Sequence, residues 1–584
     1  MRPAIALALL LAACKSAPQP QPPPQADTQS DIKLHPRSRY EEGRGFVAAL
    51  REELEALRRI QAVLGWYVAT QGETSLRKLT YIGHGRLFQK TALDAVAVEE
   101  QRPGLAANDA LALRFFRRTL TREMVSLSTA PFNDEYADAE AGATVRLPWK
   151  DGPVAYRDLQ NLIAQEEDPA RRAQVFAAMN GVRTQELNPI LERKEQSAQK
   201  AARETGFADY VALSEDLRNV KLDPLLLSGV AYVKATEAVF RSTLDRVARD
   251  ELDVPREKLR VADLNRLWKA PRLSRFFDKE LELRALLSFL SGIGLDLRTA
   301  AGTEVRVDDA LHPKKVPRAF VDPIDAPLDV RLSVKPVGGL DDYETLFHEA
   351  GHAVHFANAT VTPRELVTEG YGAPTEAFGE FFRHAFSDPR WLVRYRAFLQ
   401  AQGRRTPLDA ELAAIQRGLA LREMMYLRRY AFAKIAYELR LHGRPASQIA
   451  PALAMIAAPE KAKDDPRELY RQLFSVAYAF ELNTEEAGLF LTDVDETFYS
   501  ADYARAFVLA GMMHEGVRRR FGEDWYANPA VGKFLKEQLF APGTALSSED
   551  VAERLGFPRA VDFAAAAARA QRLVAEADAL EKAK

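Results

Sequence analysis

The stretch His348-Glu349-Ala350-Gly351-His352 is the most informative part of this 584-residue chain. An α-helix repeats every 3.6 residues, so the side chains of His348 and His352 project from the same face. Two imidazoles at this spacing can bind one tetrahedral metal ion. Glu349 lies one step round the helix, where its carboxylate can act as a general base toward a metal-bound water. The alternative is a surface helix with two coincidental histidines, which is disfavoured because the chain has only nine histidines.

Two histidines need a third protein ligand if the fourth metal position is to stay open for water. No histidine follows at the spacing H-E-x-x-H-x-x-G-x-x-H, because position 358 is Asn358. His355 lies three residues after His352 on the same face and is a rival ligand. Three ligands on consecutive turns of one straight helix do not easily converge on one metal. If His355 does not bind the metal, we interpret it as a residue on the helix face or in the cleft.

The segment 365–387 offers a better third ligand. A loop with two glycines and a proline leads into a predicted helix that carries Glu376, Glu380 and His384 at four-residue steps. Glu376 stands at the start of this helix, 24 residues after His352. We expect Glu376 to bind the metal and Glu380 to orient one of the ligating histidines from behind. The alternative is that both carboxylates are solvated surface charges.

A strand is predicted just before the motif helix. In residues 328–334 (LDVRLSV) the apolar side chains alternate strictly between Pro327 and Pro336. Asp341 and Glu344 then form a plausible capping pair at the start of the helix. The strand has two interpretations, which the sequence leaves open. Its free edge could pair with an extended peptide near the metal, or it could be a structural strand in a small sheet.

Helical periodicity extends through most of the chain from about residue 40. In the first stretch, apolar residues recur at three-, four- and seven-residue steps between charged residues: Leu50, Leu54, Leu57, Leu64 and Val68. Similar stretches occupy 155–250, 280–295, 405–440 and 500–521. The sequence therefore predicts a mainly α fold, with an N-terminal helical region at 39–300 and a metal-binding catalytic region at 301–584.

The composition is that of a globular protein, with 47% hydrophobic and 28% charged residues. The formal net charge of −2 provides no basic field, so nucleic acid is not expected as a partner. A chain of this length can form several domains or one large helical body with a deep cleft.

The first 13 residues have the pattern of a signal peptide. Arg2 supplies a short positive region, and the apolar run 4–11 is too short to span a bilayer. Residues 11–14 (LAAC) resemble the lipobox of bacterial lipoproteins, in which cleavage leaves a lipid-modified cysteine, here Cys14. Residues 14–38 are rich in Pro and Gln and are expected to form a flexible tether. We therefore expect a chain anchored to the membrane of a bacterial cell envelope, on the periplasmic side or at the outer membrane. The alternative is an ordinary secretory signal with a coincidental cysteine.

The spacing from His348-Glu349-x-x-His352 to Glu376, within residues 375–380 (TEAFGE), resembles a group of related zinc peptidase families. These are the families of thimet oligopeptidase, oligoendopeptidase F and angiotensin-converting enzyme. Residues 347–355 (FHEAGHAVH) are similar to the long form of the motif in the thimet group. Weaker similarity extends over about 165–560 and includes Arg193, the segment 206–210, Tyr499, Tyr503 and the turn 542–543.

This resemblance implies a large, mainly helical, ellipsoidal peptidase fold with a deep substrate channel and a small β-sheet beside the zinc helix. The channel would admit short peptides and exclude folded proteins. His348, His352 and Glu376 would bind Zn²⁺, Glu349 would be the catalytic base and acid, and Glu380 would support a ligating histidine.

The sequence departs from these families at one chemically important place. They carry a tyrosine three residues after the equivalent of Tyr503, where it donates a hydrogen bond to the tetrahedral oxyanion, but position 506 here is Ala506. A substrate-binding histidine upstream is also replaced, in the stretch 494–496 (VDE). Tyr503 or Tyr499 could substitute as the donor, or each could pack in the core with a satisfied hydroxyl. His514 falls on the same helical face as Tyr503 and is a candidate substrate-binding residue.

The sequence therefore predicts a monomeric zinc metallopeptidase that hydrolyses short unfolded peptides through a metal-activated water. The alternative is a lipoprotein that keeps the fold and the zinc, binds peptides or an envelope partner, and is catalytically weak or inactive. Glu349 favours the enzyme, because a pure binding protein gains nothing from a general base. Ala506 favours the alternative, because loss of one oxyanion donor lowers the rate on the order of 10²–10³-fold.

Overall fold

Helices account for 71% and strands for 4% of the chain in the computed structural model, which confirms the prediction of a mainly α fold with small sheets. The structure describes residues 44–73, 77–312, 314–316, 318–404 and 407–582. The predicted signal peptide, the lipidation site Cys14 and the predicted tether (14–38) lie outside the described residues and stay predictions. None of the helices in the described part of the chain combines the length and the apolar character needed to span a bilayer.

Long helices form both halves of the chain. Those before the larger sheet are α1 (Arg44–Gln71), α2 (Arg77–Thr80), α3 (Lys90–Glu100), α4 (Ala107–Gly142), α5 (Tyr156–Gln165), α6 (Pro169–Val182), α7 (Asn188–Glu204), α8 (Tyr210–Arg218), α9 (Leu222–Leu252), α10 (Val261–Lys269) and α11 (Glu282–Gly292). Those after it are α12 (Leu340–Ala357), α13 (Glu365–Thr368), α14 (Gly372–Arg383), α15 (Pro389–Ala401), α16 (Leu412–Leu427), α17 (Ile435–Leu441), α18 (Ala450–Leu453), α19 (Pro459–Ala462), α20 (Pro466–Tyr478), α21 (Ser500–Phe521), α22 (Pro529–Phe534), α23 (Ser548–Arg554) and α24 (Phe563–Lys582). Several of these helices are joined by π-helical turns, at Arg183–Leu187, Arg428–Lys434 and Leu535–Phe540.

The strands form two small sheets. In the first, β1 (Thr144–Arg146) pairs antiparallel with β2 (Pro153–Ala155). The second has the order β3-β5-β4 and contains β3 (Arg306–Asp308), β4 (Phe320–Asp325) and β5 (Asp329–Ser333). Strand β5 is parallel to β3 and antiparallel to β4, with Val321 opposite Leu332.

The strand predicted at 328–334 is therefore present as β5, but it lies in the centre of its sheet. Both of its edges are paired, so the interpretation that a peptide binds its free edge is wrong for this strand. The alternative, a structural strand, is confirmed: Val330 and Leu332 are fully buried. The outer edge that faces the motif helix belongs to β4 instead, where the backbone N–H of Val321 donates to the side chain of Glu349.

The capping pair predicted for the motif helix is wrong. Helix α12 starts after Gly339, whose φ of 97° favours glycine, and no side chain caps it at that residue. Asp342 instead accepts hydrogen bonds from the N–H groups of Val337 and Gly338, at 2.6 and 2.8 Å. Glu344 is buried and accepts a hydrogen bond from the guanidinium of Arg422. Its carboxylate is therefore engaged in a tertiary ion pair and does not cap the start of the helix.

Two glycines bring α12 and α14 into direct backbone contact. A Cβ added at Gly351 would lie 2.5 Å from the carbonyl oxygen of Phe378, and a Cβ added at Gly379 would lie 2.7 Å from Cε1 of His348. Real Cβ atoms are not found this close to other atoms, so only glycine permits this approach. The close contact sets the position of α14 relative to the two motif histidines.

The hydrophobic core continues across the boundary predicted near residue 300. Phe289 of α11 packs against Phe347 of α12 and Phe382 of α14, with ring centroids 5.2 and 5.5 Å apart. The same cluster of buried residues extends from Val125 to Val574. The N-terminal and C-terminal regions thus share one core, and their functional division stays a prediction.

Candidate metal centre

Helices α12 and α14 bring together the three side chains that were predicted to bind the metal. The Nε2 atoms of His348 and His352 are 3.0 Å apart. Oε2 of Glu376 lies 3.5 Å from Nε2 of His348 and 3.8 Å from Nε2 of His352. Ligand atoms of a tetrahedral zinc are separated by roughly 3.3 Å, because each lies about 2.0–2.1 Å from the ion. The triangle of donor atoms therefore has the dimensions of one zinc coordination face.

The environment of Glu376 tests whether a cation fits here. Its Oε1 accepts a 2.5 Å hydrogen bond from the hydroxyl of Tyr499. Its Oε2 is buried and has no hydrogen-bond partner in the described chain, although it points toward both histidines. A buried carboxylate oxygen without a partner is unfavourable unless a cation or proton compensates it. Two imidazole nitrogens and one carboxylate oxygen are also a donor set that Zn²⁺ prefers, so the residues fit this metal.

The electrostatics of the group favour a positive charge between the ligands. Burial lowers the pKa of His348, but Glu376 and Glu380 outweigh it and raise that pKa to about 10. Burial also lowers the pKa of His352, against the opposite effect of Glu376. Although burial raises the pKa of Glu376, the two histidines and Tyr499 bring it below its ordinary value. Glu376 and Glu380 therefore place negative charge next to the histidine donor atoms.

Glu380 lies behind His348, one helical turn after Glu376. Its Oε1 is 3.1 Å from Nδ1 of His348 and 3.3 Å from the guanidinium of Arg383. Burial raises the pKa of Glu380, but Arg383 and His348 more than offset this and hold it at about 2. An ionised Glu380 at this distance favours a proton on Nδ1 of His348, and Nε2 is then the ring nitrogen directed toward His352 and Glu376.

Glu349 is nearly buried and lies between the motif helix and the sheet. Its Oε2 accepts a hydrogen bond of 3.1 Å from the backbone N–H of Val321 on β4. The carboxylate of Glu349, which follows His348 in the sequence, therefore occupies a defined position beside the unpaired edge of the sheet. Because the Glu349 carboxylate accepts this one hydrogen bond, it has further lone pairs that can accept a proton from another group.

Tyr499 and Tyr503 both lie near Glu376, but they have different surroundings. Tyr499 is engaged through its hydroxyl, whereas the Tyr503 hydroxyl makes no hydrogen bond with the part of the chain that the structure describes. The two rings meet edge to face at 5.0 Å. Burial, followed by the charge of Glu376 and the nearby Tyr430, raises the pKa of Tyr503 well above its ordinary value. Tyr503 is thus a neutral phenol with a free donor beside the metal ligands.

Tyr430 is a residue of this region that sequence reasoning missed. It stacks on Tyr503 with centroids 5.3 Å apart and an interplanar angle of 22°. It belongs to the π-helical turn Arg428–Lys434, a type of turn that is rare and frequent at functional sites. The sequence contains no signal for a π-helical turn. The available signal was the spacing of Tyr426 and Tyr430, which are four residues apart and would share one face of a helix.

Other missed residues support the centre from behind. Gly379 contacts the ring of His348, Arg383 holds Glu380, and Arg422 links Glu344 to the carbonyl of Trp268. The motif TEAFGE quoted above contains Gly379, and its place between the two functional glutamates was the available signal. Arg422 could not be recognised, because its partners Glu344 and Trp268 are distant in the chain. Arg383 lies three residues after Glu380, so the helical repeat was the available signal for that pair.

The structure does not bring His355 or His514 into the metal group. His355 is fully buried, and its Nε2 lies 3.1 Å from the carbonyl oxygen of Gly543. These contacts do not support His355 as a rival metal ligand; they support a packing role. His514 has its Nε2 2.8 Å from the carbonyl oxygen of Phe381, and its ring packs on Trp525. His514 shares a face of α21 with Tyr503, but it lies eleven residues later in the helix. This separation corresponds to a distance on the order of 16 Å along the helix axis.

Position 506 is fully buried in α21 and supplies no donor, because it is Ala506. Within the described residues, the potential ligand atoms of His348, His352 and Glu376 all lie within 4.8 Å of one another. No protein-family model matches the chain. No curated protein matches it either.

Proposed function

We propose that this chain is a zinc-dependent peptidase that hydrolyses short, unfolded peptides. The observation that carries the proposal is the triangle of donor atoms from His348, His352 and Glu376, with Glu349 directly beside it. A metal site with only a structural role is normally closed by a fourth protein ligand, whereas a hydrolytic site keeps that position open. The resemblance of the motif and its spacing to the thimet oligopeptidase and angiotensin-converting enzyme families supports the same conclusion.

Zn²⁺ bound to the three side chains would supply Lewis acidity, which polarises the scissile carbonyl and makes water a better nucleophile. Glu349 accepts a proton from the attacking water and returns it to the leaving amine. Glu380 keeps His348 in the tautomer that presents Nε2. Tyr499 holds Glu376, and the free hydroxyl of Tyr503 donates to the oxygen on which negative charge develops.

The outer edge of β4 is the proposed docking strand for the peptide. No strand of the described chain pairs with this edge, and an extended peptide can add to such an edge through backbone hydrogen bonds. Pairing of this kind reads the backbone and not the side chains, which suits a substrate without a fixed fold. The deep channel that admits short peptides and excludes folded proteins is part of the proposal and follows from the resemblance.

A second function is supported by Ala506. A protein that lacks the usual oxyanion tyrosine could retain zinc and bind peptides or a cell-envelope partner with little turnover. Tyr503 decides between the two functions, because its hydroxyl lies in the electrostatic reach of Glu376 and remains available as a donor. We also propose that the chain acts as a monomer, tethered through a lipid on Cys14 to a membrane of the bacterial envelope.

The test compares purified wild-type protein with Glu349→Gln. We expect the wild type to contain about one zinc per chain, by elemental mass spectrometry, and to cleave internally quenched peptides. The variant is isosteric, so it should keep the zinc and lose turnover. Equal trace activity in both proteins would refute the catalytic role and favour the binding protein. Glu376→Ala should lose the zinc, and the exposed Glu460→Ala should keep it; normal zinc in Glu376→Ala would refute the ligand assignment.

A further inference from the structure

Two cavities lie side by side against the C-terminal helix α24. The smaller, of about 120 Å³, lies between α24, α21 and the turn that joins α14 to α15. The larger, of about 170 Å³, lies between α24, α21 and the end of α16. Gly511, Arg569 and Arg572 line both cavities, so the two spaces adjoin. None of the three proposed metal ligands lines either cavity.

The smaller cavity is polar, and each carboxylate in its wall already has a partner. These pairs are Asp388 with Arg390 at 3.2 Å, Glu515 with Arg518 at 2.7 Å, and Glu576 with Gln416 at 3.1 Å. Because these carboxylates are engaged, they do not neutralise the other cations that line the cavity.

Two arginines of α24 are short of counter-charge at the junction of the cavities. Arg569 and Arg572 are three residues apart, so their side chains share one face of the helix. Arg572 is exposed and makes no hydrogen bond or ion pair with the described part of the chain. Arg569 is mostly buried, its ion pair with Glu423 is 3.4 Å long, and its Nε has no hydrogen-bond partner among the described residues. Burial lowers the pKa of His514 in the same wall, and the charge of Arg569 lowers it further. The junction therefore carries positive charge that one anion can satisfy.

The larger cavity is apolar beyond these arginines. Phe507, Val508 and Met512 of α21 line it and are buried. The wall contributed by α24 consists mainly of alanines from the run 564–568 (AAAAA), so no large side chain of this helix fills the space. An apolar cavity of about 150 Å³ is sufficient for a benzene molecule. This cavity therefore has room for a ring or chain of about six to eight carbon atoms.

We propose that the two cavities bind an organic acid, with its carboxylate between Arg569 and Arg572 and its apolar body against Phe507 and Met512. An inorganic anion would leave the apolar cavity unfilled, and a neutral apolar molecule would leave both guanidinium groups without counter-charge. Arginine donates two parallel N–H groups to a carboxylate, and burial of the apolar body adds the hydrophobic effect. This binding site is additional to the proposed peptidase function and does not depend on it.

Two side chains stand between this site and the metal centre. His384 lines the smaller cavity, and its Nε2 lies 3.7 Å from Oε2 of Glu380. Glu380 in turn lies 3.1 Å from Nδ1 of His348. An acid in the cavities therefore does not touch the metal ligands, and its binding requires neither zinc nor turnover.

The test measures the binding of small acids to the purified protein by isothermal titration calorimetry. The probes are octanoate and 3-phenylpropanoate, with octanamide as the neutral form of the first, and acetate and inorganic phosphate as anions without an apolar body. We expect one of the two apolar acids to bind on the order of 10- to 100-fold more tightly than octanamide, acetate or phosphate. The tighter of the two shows whether the site prefers a chain or a ring. Equally tight binding of octanamide or of phosphate overturns the proposal, and so does the absence of binding by both acids.

Arg572→Gln should weaken binding of the preferred acid by about 10-fold and leave the binding of octanamide as it was. The melting temperature should not change, because Arg572 is exposed. Arg572→Lys should keep part of the affinity, since it retains the charge but not the bidentate geometry. Arg249→Gln, which removes an exposed cation of α9 outside both cavities, should behave as the wild type. Wild-type affinity for the acid in Arg572→Gln overturns the proposal.

Ala566→Leu places a larger side chain in the apolar cavity and should also weaken binding of the acid by about 10-fold or more. Ala564→Leu is the matched control, because Ala564 is exposed on the same helix and lines neither cavity. If Ala566→Leu binds the acid as tightly as the wild type does, the apolar body does not lie in this cavity and the proposal is overturned. If Ala566→Leu lowers the melting temperature together with the affinity, Arg572→Gln decides the outcome.

A comparison of zinc-loaded and zinc-free wild-type protein separates this site from the metal centre. Carboxylates also bind zinc directly, so an acid bound at the metal would lose its affinity when zinc is removed. We expect the same affinity for the acid with and without zinc. Binding that requires zinc overturns the proposal. A chain that holds no zinc and cleaves no peptide, but binds the acid in this pattern, would refute the peptidase function and leave the acid site in place.

Discussion

The close approach of α14 to the motif helix makes Gly379→Ala a sharp test of the metal centre. The new Cβ would lie 2.7, 2.8 and 2.9 Å from Cε1, Nδ1 and Nε2 of His348. Ordinary contact between such atoms begins near 3.4–3.5 Å, so the imidazole must shift by roughly 0.7 Å. Metal–ligand distances are tolerated only within about 0.2 Å. The ring can turn away because it is the end of a side chain, so we expect the fold to survive and the ligand geometry to be lost.

The expected result is a weakening of zinc affinity by about 100-fold or more, at the upper end of what disturbing the surroundings of a ligand produces. Zinc dissociation constants are measured by competition with a chromophoric chelator. The melting temperature is recorded with and without zinc, and the zinc-dependent increase should shrink in the variant because ligand stabilisation scales with the logarithm of affinity.

Gly418→Ala is the matched control. Gly418 lies inside α16, and a Cβ added there meets nothing within 4 Å. Alanine in a helix interior is more stable than glycine by roughly 0.5–1 kcal/mol, so this variant should bind zinc normally and melt slightly higher. Wild-type zinc affinity in Gly379→Ala would refute the placement of α14 against His348. Unfolding of the metal-free variant would show that the contact is more rigid than a side-chain clash implies.

Tyr503→Phe should lower kcat on the order of 10²–10³-fold and leave the zinc content unchanged, since the phenol donates only to the developing oxyanion; full activity in steady-state assays would exclude it as the donor. Tyr499→Phe should weaken zinc affinity by about 10-fold in chelator competition, because Glu376 loses the hydrogen bond that orients it; unchanged affinity would count against this role. Glu195→Gln tests a buried carboxyl whose pKa is raised by burial from 4.5 to about 7. In the folded chain Glu195 stays protonated while the unfolded chain ionises, so its contribution to stability is lost as pH rises from about 4.5 to about 7. Near pH 8 the variant should therefore unfold at a higher temperature than the wild type, because its free energy of unfolding is larger by about 3 kcal/mol. Near pH 4 calorimetry should show no such difference.

The part of the site that lies within one helix was predictable from sequence alone. The relation of His348 to His352 depends only on the helical repeat, which tertiary contacts do not alter. Glu376 was predicted from its position after a glycine-containing loop and from resemblance, and the structure brings it to the histidines. The strand β5 was predicted from strict alternation, a pattern that is also local.

Properties that depend on how elements meet could not be predicted. His514 was expected near the site because the sequence shows on which face of its helix a residue lies. The sequence does not show how far along the axis that residue lies relative to a neighbouring helix. Glu344 has the spacing of a cap, yet a buried Arg422 takes it. The pairing of β4 with β5 was missed because β4 lacks alternation and contains Pro323, although a proline in a strand is itself a sign of a sheet edge.

The glycine contact between α12 and α14 also limits how the molecule can move. Helices that touch through side chains can slide over one another as rotamers change, whereas backbones in direct contact at Gly351 have no such layer between them. His348, His352 and Glu376 therefore travel as one rigid body. If the two halves of the chain open and close around a peptide, the hinge must lie outside this helix pair, and zinc should stay bound with the same affinity in the open and closed states.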